Sequence, residues 1–204
     1  MTPMTIQLID KGEIRVRDEI NPLGPDPFET QALGRAALTA LAYPGRVIGC
    51  DAALAGLLRT FVPTGTRLHL DPAFEAAGVA GPDGARPVGP ERATVAAAPA
   101  ARAAIILPAL PRGTLLHPEE GALLIVMVAG LAEAEGGPRY RVSRGAAGGR
   151  TRDLSVTGLP DGFVAARAAA TADYPLGVDI LLVDETTGRL AGLPRHVRLA
   201  HGEE

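Results

Sequence analysis

The chain has 204 residues, enough for one domain with a substantial core but cramped for two. Hydrophobic residues make up 47% and charged residues 21%, with a net charge of −3, which argues against a nucleic-acid-binding protein with a basic face. The single cysteine, Cys50, excludes an internal disulfide or a Cys-rich metal site and fits a reducing, cytoplasmic compartment.

Residues 1–27 read as an extended leader. Thr5–Ile9 and Glu13–Arg17 alternate like a hairpin around Asp10-Lys11-Gly12, and Asn21–Pro27 breaks regular structure. Residues 28–204 read as a single domain. A helix is predicted over Pro27–Ala42, capped by Asp26 or Thr30, with Leu33, Ala37, Leu38 and Leu41 inward and Pro44-Gly45 ending it. A short strand at Val47–Ile48 follows. Asp51 then caps a second helix that buries Leu54, Leu57, Leu58 and Phe61 before Pro63-Thr64-Gly65.

Arg67–Leu70 alternates like a strand. Gly78–Pro90, with four glycines and three prolines, reads as a mobile loop, and the Ala-rich stretch from Thr94 to Ile106 is ambiguous between strand and helix. Ala122–Ala129 is the strongest strand; being apolar without alternation, it should be covered on both faces. Arg139–Val142 and Arg152–Val156 read as a hairpin around Gly145–Gly149. A helix follows from Pro160 to about Ala172, presenting Phe163, Ala166, Arg167 and Ala170. Val178–Asp184 is a second buried strand. Glu185–Gly188 turns into Arg189–Leu193, and His196–Ala200 finishes the sheet. The whole implies α/β architecture with a mixed sheet and helices on its faces.

The chemistry is sparse. His69, His117, His196 and His201 show no metal-ligand spacing, and Ser143 and Ser155 lack a nucleophile elbow, so neither a metal nor a catalytic residue is expected. Cys50 beside Asp51 would be activated at a helix N-terminus, but a small buried thiol is the plainer reading. Arg139, Arg141, Arg144, Arg150 and Arg152 cluster around the hairpin tip, where guanidiniums can hold a phosphorylated ligand or simply form a wet edge. Asp179 enters a buried strand and needs a partner, for which Arg195 is the candidate.

Tyr174-Pro175-Leu176-Gly177-Val178-Asp179-Ile180-Leu181-Leu182, followed by Leu190-Ala191-Gly192-Leu193-Pro194-Arg195, resembles the signature of the H subunit family of the carbon–phosphorus lyase system. Arg35 with Ala40–Gly45, and Gly113–Ala122, are similar to further segments of that family, so the likeness spans about 28–199. Gly34 and Gly145–Gly149 depart from its pattern. The resemblance implies a three-layer α/β/α sandwich like the large domain of PLP-dependent transferases, without PLP or any other cofactor. The only lysine, Lys11, lies in the leader, so the Schiff base that PLP requires has no anchor in the domain. The resemblance further implies a homodimer that joins the G, I and J subunits. Together they attach a phosphonate to the ribose of a nucleoside triphosphate, and this subunit has no assigned catalytic role. Arg35, Pro44, Gly45, Pro175, Gly177, Asp179, Pro194 and Arg195 are then the residues expected at a ligand or partner surface. A phosphate-ligand site using Arg35, Asp179 and Arg195, and an independent small enzyme, are the rival readings.

Overall fold

In the computed structural model of the chain, the described residues are 4–8, 14–18, 27–133, 138–144 and 151–202. The leader turn Asp10–Gly12, the Asn21–Asp26 break with its candidate cap Asp26, and the Gly145–Arg150 tip lie outside them. Strands β1 (Met4–Leu8) and β2 (Ile14–Asp18) pair antiparallel as a separate two-stranded sheet.

Seven strands form the main sheet: β3 (Ile48–Gly49), β4 (Arg67–Leu70), β5 (Arg86–Pro87), β6 (Val95–Pro99), β7 (Leu123–Met127), β11 (Asp179–Asp184) and β12 (Arg189–Leu193). Their spatial order is β3-β12-β11-β7-β6-β4-β5. Pairing is parallel from β11 through β7, β6 and β4 to β5, and antiparallel on both sides of β12. The sheet is therefore mixed. β7 lies in the middle with a parallel neighbour on each side, which accounts for its lack of alternation. Ile125 and Met127 point to one face and Leu124 and Val126 to the other, all of them at most 1% exposed.

Helices α1 (Pro27–Ala42), α2 (Leu54–Phe61) and α3 (Pro72–Ala76) belong to the first face, where Leu33, Ala40, Leu54, Leu57, Leu58 and Phe74 pack with Ile125 and Met127. The opposite face carries α4 (Ala100–Ile106), α5 (Phe163–Ala170) and a second sheet. That sheet comprises β8 (Gly130–Ala132), β9 (Arg139–Arg144), β10 (Thr151–Thr157) and β13 (Val197–His201), in the order β13-β9-β10-β8.

Several sequence expectations are corrected. His196–Ala200 does not finish the main sheet: β13 pairs with β9 in the second one, because Leu131, Tyr140, Val142, Leu154, Val156 and Val197 form an apolar sheet face that joins the core over α5. Gly78–Pro90, read from the sequence as a mobile loop, contains a short strand. The Arg86 and Val88 amides donate to the Thr66 and Leu68 carbonyls, laying β5 along β4. The ambiguous Ala-rich stretch divides at Pro99 into a buried strand and a short helix.

Leu38 is 65% exposed, not inward. The buried stripe of α1 is Leu33, Ala36, Ala37 and Ala40, because the helix lies close against β12. A Cβ on Gly192 would come within 2.6 Å of the Ala40 carbonyl. Thr30 lies inside α1 and is not its cap. Asp51 does not cap α2 either. The Cys50 and Ala52 amides donate to the Gly188 carbonyl, drawing this segment onto the β11–β12 turn, and Glu185 Oε1 accepts the Leu54 N–H at 3.0 Å in its place.

Candidate functional site

The most elaborate polar arrangement sits where β11 begins. Gly177 holds a left-handed φ of +151°, and a Cβ there would press within 3.0 Å of Arg195 Cβ and the Thr171 methyl. Its amide donates to the Arg112 carbonyl at 2.8 Å, and the next strand opens with Asp179 beside Leu123 of β7. Asp179 Oδ1 accepts the backbone N–H of Arg195 at 2.7 Å. Its Oδ2 accepts Nε at 3.1 Å and Nη2 at 2.6 Å from the same residue. The remaining nitrogen, Nη1, donates in close contact to the Pro118 carbonyl. Gly121 is the residue that allows this approach, since a Cβ would meet Gly177 O at 2.3 Å and Arg195 Nη1 at 2.7 Å. Charge-assisted, forked bonds of this kind fix geometry as well as charge.

Behind the pair lies Arg167, 1% exposed, from α5. Its Nη2 donates to the carbonyls of Leu193 (3.1 Å) and Pro194 (2.7 Å), while Nε and Nη1 have no partner. Burial pushes this guanidinium down to about 10; Asp179 opposes the shift and Arg195 adds to it. One carboxylate thus stands among two guanidiniums. Sequence reasoning counted Arg167 only as a helix residue. The usable signal was an arginine standing on the apolar stripe formed by Phe163, Ala166 and Ala170.

This knot ties together four segments: 118–121, the middle of α5, 177–179 and 193–195. It lies at the edge where the parallel strands β7 and β11 start, whereas ligands of open α/β sheets bind beyond the carboxyl ends. Every Arg195 nitrogen is engaged, so the pair holds the start of β11, the segment after β12 and the 118–121 segment together.

The other predicted residues lie elsewhere. Arg35 lines a groove of about 570 Å³ between α1 and the segment after β3, with Phe28, Gln31, Thr39, Cys50 and Asp51. Gly49 pairs with Arg189, the first residue of β12, while Arg195 follows its last, so groove and knot are at opposite ends of that strand. Cys50 is half-buried there. Desolvation, reinforced by the Asp51 charge, raises its pKa, the opposite of an activated thiolate. Pro44 and Gly45 are at a third place. Gly45 has φ +78°, and its Cβ position would meet Arg152 Cβ at 3.0 Å and Val142 Cβ at 3.3 Å, so the end of α1 rests on the second sheet. Arg139, Arg141 and Arg152 are exposed, with Arg141 3.8 Å from Asp153.

Among the described residues no group of three or more His, Cys, Asp or Glu side chains is placed to hold a metal ion. Nor is any helix among the described residues long and apolar enough to cross a membrane.

The profile of the family described as "Bacterial phosphonate metabolism protein (PhnH)" matches residues 25–200. The chain is also similar to the "Putative C-P lyase subunit protein HtxG" of Stutzerimonas stutzeri, with 34% identity over 178 residues, covering 83% of this chain and 86% of that protein. The match embraces the signature strands, the knot between them and both faces of the main sheet, and the chain belongs to the PhnH family of bacterial phosphonate metabolism proteins.

Proposed function

We propose that the protein is an accessory subunit of the carbon–phosphorus lyase machinery that contributes surfaces rather than reacting groups. Family membership and the likeness to HtxG, described as a C-P lyase subunit protein, support this reading. The observation that carries it is the saturation of Asp179 and Arg195 by each other and by backbone, which leaves the signature's charges committed to shape.

The reaction served is the attachment of a phosphonate oxygen to C1′ of a nucleoside triphosphate. A C–O bond forms, the glycosidic C–N bond breaks, and the base leaves with a proton, yielding ribose 1-phosphonate 5-triphosphate. In this reading the subunit acts in the cytoplasm as a homodimer joined to the G, I and J subunits. Its fold is akin to the large domain of PLP-dependent transferases, with no lysine in the domain to anchor the cofactor.

Co-expression with the G, I and J subunits tests the proposal. A tagged chain should retain all three, and base release from nucleoside triphosphate should require the assembly. Base release by the isolated chain, or no retention of any subunit, would overturn it.

A phosphate-ligand role is favoured by one feature, the exposed Arg35 in its groove. Asp179 and Arg195 do not contribute to that groove. Calorimetric titration of the assembled complex with nucleoside triphosphate, repeated with Arg35→Ala, decides it: equal heats remove Arg35 from any ligand site.

A further inference from the structure

Between α4 and β7 the chain makes a closed excursion, bounded by a bridge from Arg112 to Gly121. At its tip the Thr114 and His117 backbones exchange two hydrogen bonds, N–H to O at 3.0 Å and 3.1 Å, and Thr114 Oγ1 accepts the His117 N–H as well. Leu115 and Leu116 are the two residues between, 78% and 87% exposed. Gly113 permits the turn with φ +80°; a Cβ there would come within 2.8 Å of the His117 and Pro118 carbonyls. The base is held by Arg195 through the Pro118 carbonyl and by the packing of Gly121 against Gly177. Tyr174, 68% exposed, stands beside that base, because its neighbour Asp173 lies 3.7 Å from Arg112 Nη1.

Two adjacent leucines on a rigid, double-bonded turn are unlike single apolar side chains scattered over a surface. Little conformational entropy remains to be lost when such a turn enters a socket. The net charge around it is acidic: Arg112 is matched by Asp173 at 3.7 Å and Arg195 by Asp179. That leaves exposed Glu120, and exposed Glu119 with His117 Nδ1 3.1 Å away, in excess. A two-fold contact between copies at this tip would bring Glu119 and Glu120 of each chain face to face, at a cost.

The geometry points to the Leu115-Leu116 turn as a docking knob for a different polypeptide of the same assembly, one presenting an apolar socket rimmed by lysine or arginine. This rests on the accessory-subunit reading above and deepens it by assigning the contact. It also supplies a purpose for the signature knot, which anchors the base of the knob.

The test uses tagged full-length chain co-expressed with the G, I and J subunits. Leu115→Asp/Leu116→Asp should lower retained subunits at least tenfold with an unchanged melting temperature, whereas Leu38→Asp on the exposed side of α1 should retain them as the parent does. Glu119→Lys/Glu120→Lys should weaken retention severalfold, and the parent complex should loosen as salt is raised. Undiminished retention by the double-leucine variant overturns the knob while leaving the subunit reading intact. Failure of the parent chain to retain any subunit overturns both. Dissociation of the purified double-leucine variant from dimer to monomer, seen by light scattering, would overturn the assignment by making a second copy the occupant.

Discussion

At the scale of single residues, the fold's main electrostatic investment is one carboxylate serving two guanidiniums. Asp179→Ala would leave Arg195 and Arg167 facing each other with no counter-charge, and removal of one partner from a buried pair costs about 3–5 kcal/mol. The side chains of Asp179 and Arg195 are 26% and 15% exposed, so a loss at the lower end, about 3 kcal/mol, is expected in urea unfolding at pH 7. Arg167 has an alkaline signature. Its folded pKa of about 10 lies below the ordinary guanidinium value, so between the two the unfolded chain binds the extra proton and stability rises with pH. Its contribution is therefore present at high pH and lost as pH falls through 10. The stability of the parent chain minus that of Arg167→Met should grow by about 1 kcal/mol between pH 9 and pH 11, since a one-unit difference in pKa is worth about 1.4 kcal/mol. A flat difference would mean the guanidinium is better solvated than its burial implies.

At the scale of elements, close approach governs how helices sit on the sheet. α1 rests on β12 through alanines and a glycine, leaving no room for even one methyl group at position 192. Gly192→Ala would place its Cβ 2.6 Å from the Ala40 backbone and push the helix outward. Overpacking of this kind costs about 1–3 kcal/mol, measurable as a lower urea midpoint with m unchanged. The start of α2 illustrates a second device. Its Leu54 amide is satisfied by Glu185, 131 residues further along the chain, so a cap and a sheet turn are stabilised together. Loss of a capping side chain typically costs about 1 kcal/mol.

At the scale of the whole molecule, an architectural and a binding role for the knot differ in temperature dependence. In a strain lacking its own H subunit and supplied with methylphosphonate as sole phosphorus source, the parent chain should restore growth. Asp179→Ala should restore it better at lower temperature, where a loss of about 3 kcal/mol leaves more of the chain folded. A variant that is fully folded yet inactive at every temperature would instead place Asp179 in direct contact with ligand or partner. The three-layer organisation, with helices on one face and helices plus a second sheet on the other, leaves the knob region and the α1 groove free for separate contacts.

The unbroken apolar runs at 122–129 and 180–183 were enough, by themselves, to identify two central strands, because a strand covered on both faces has no reason to alternate. The signature around Asp179 and Arg195 likewise marked the family and the pairing of those two residues. Helix existence was readable from local periodicity, and the bounds of α1 and α2 follow it closely. Which face each helix buries was not. Leu38 and Ala36 fit an amphipathic pattern equally well until Gly192 brings α1 down on its small residues. The cap of α2, the division of the strands into two sheets and the recruitment of Arg167 all join segments that local sequence cannot relate. Periodicity reports how a segment divides its own surface between core and solvent, whereas contacts between distant segments depend on where the packed sheet carries them.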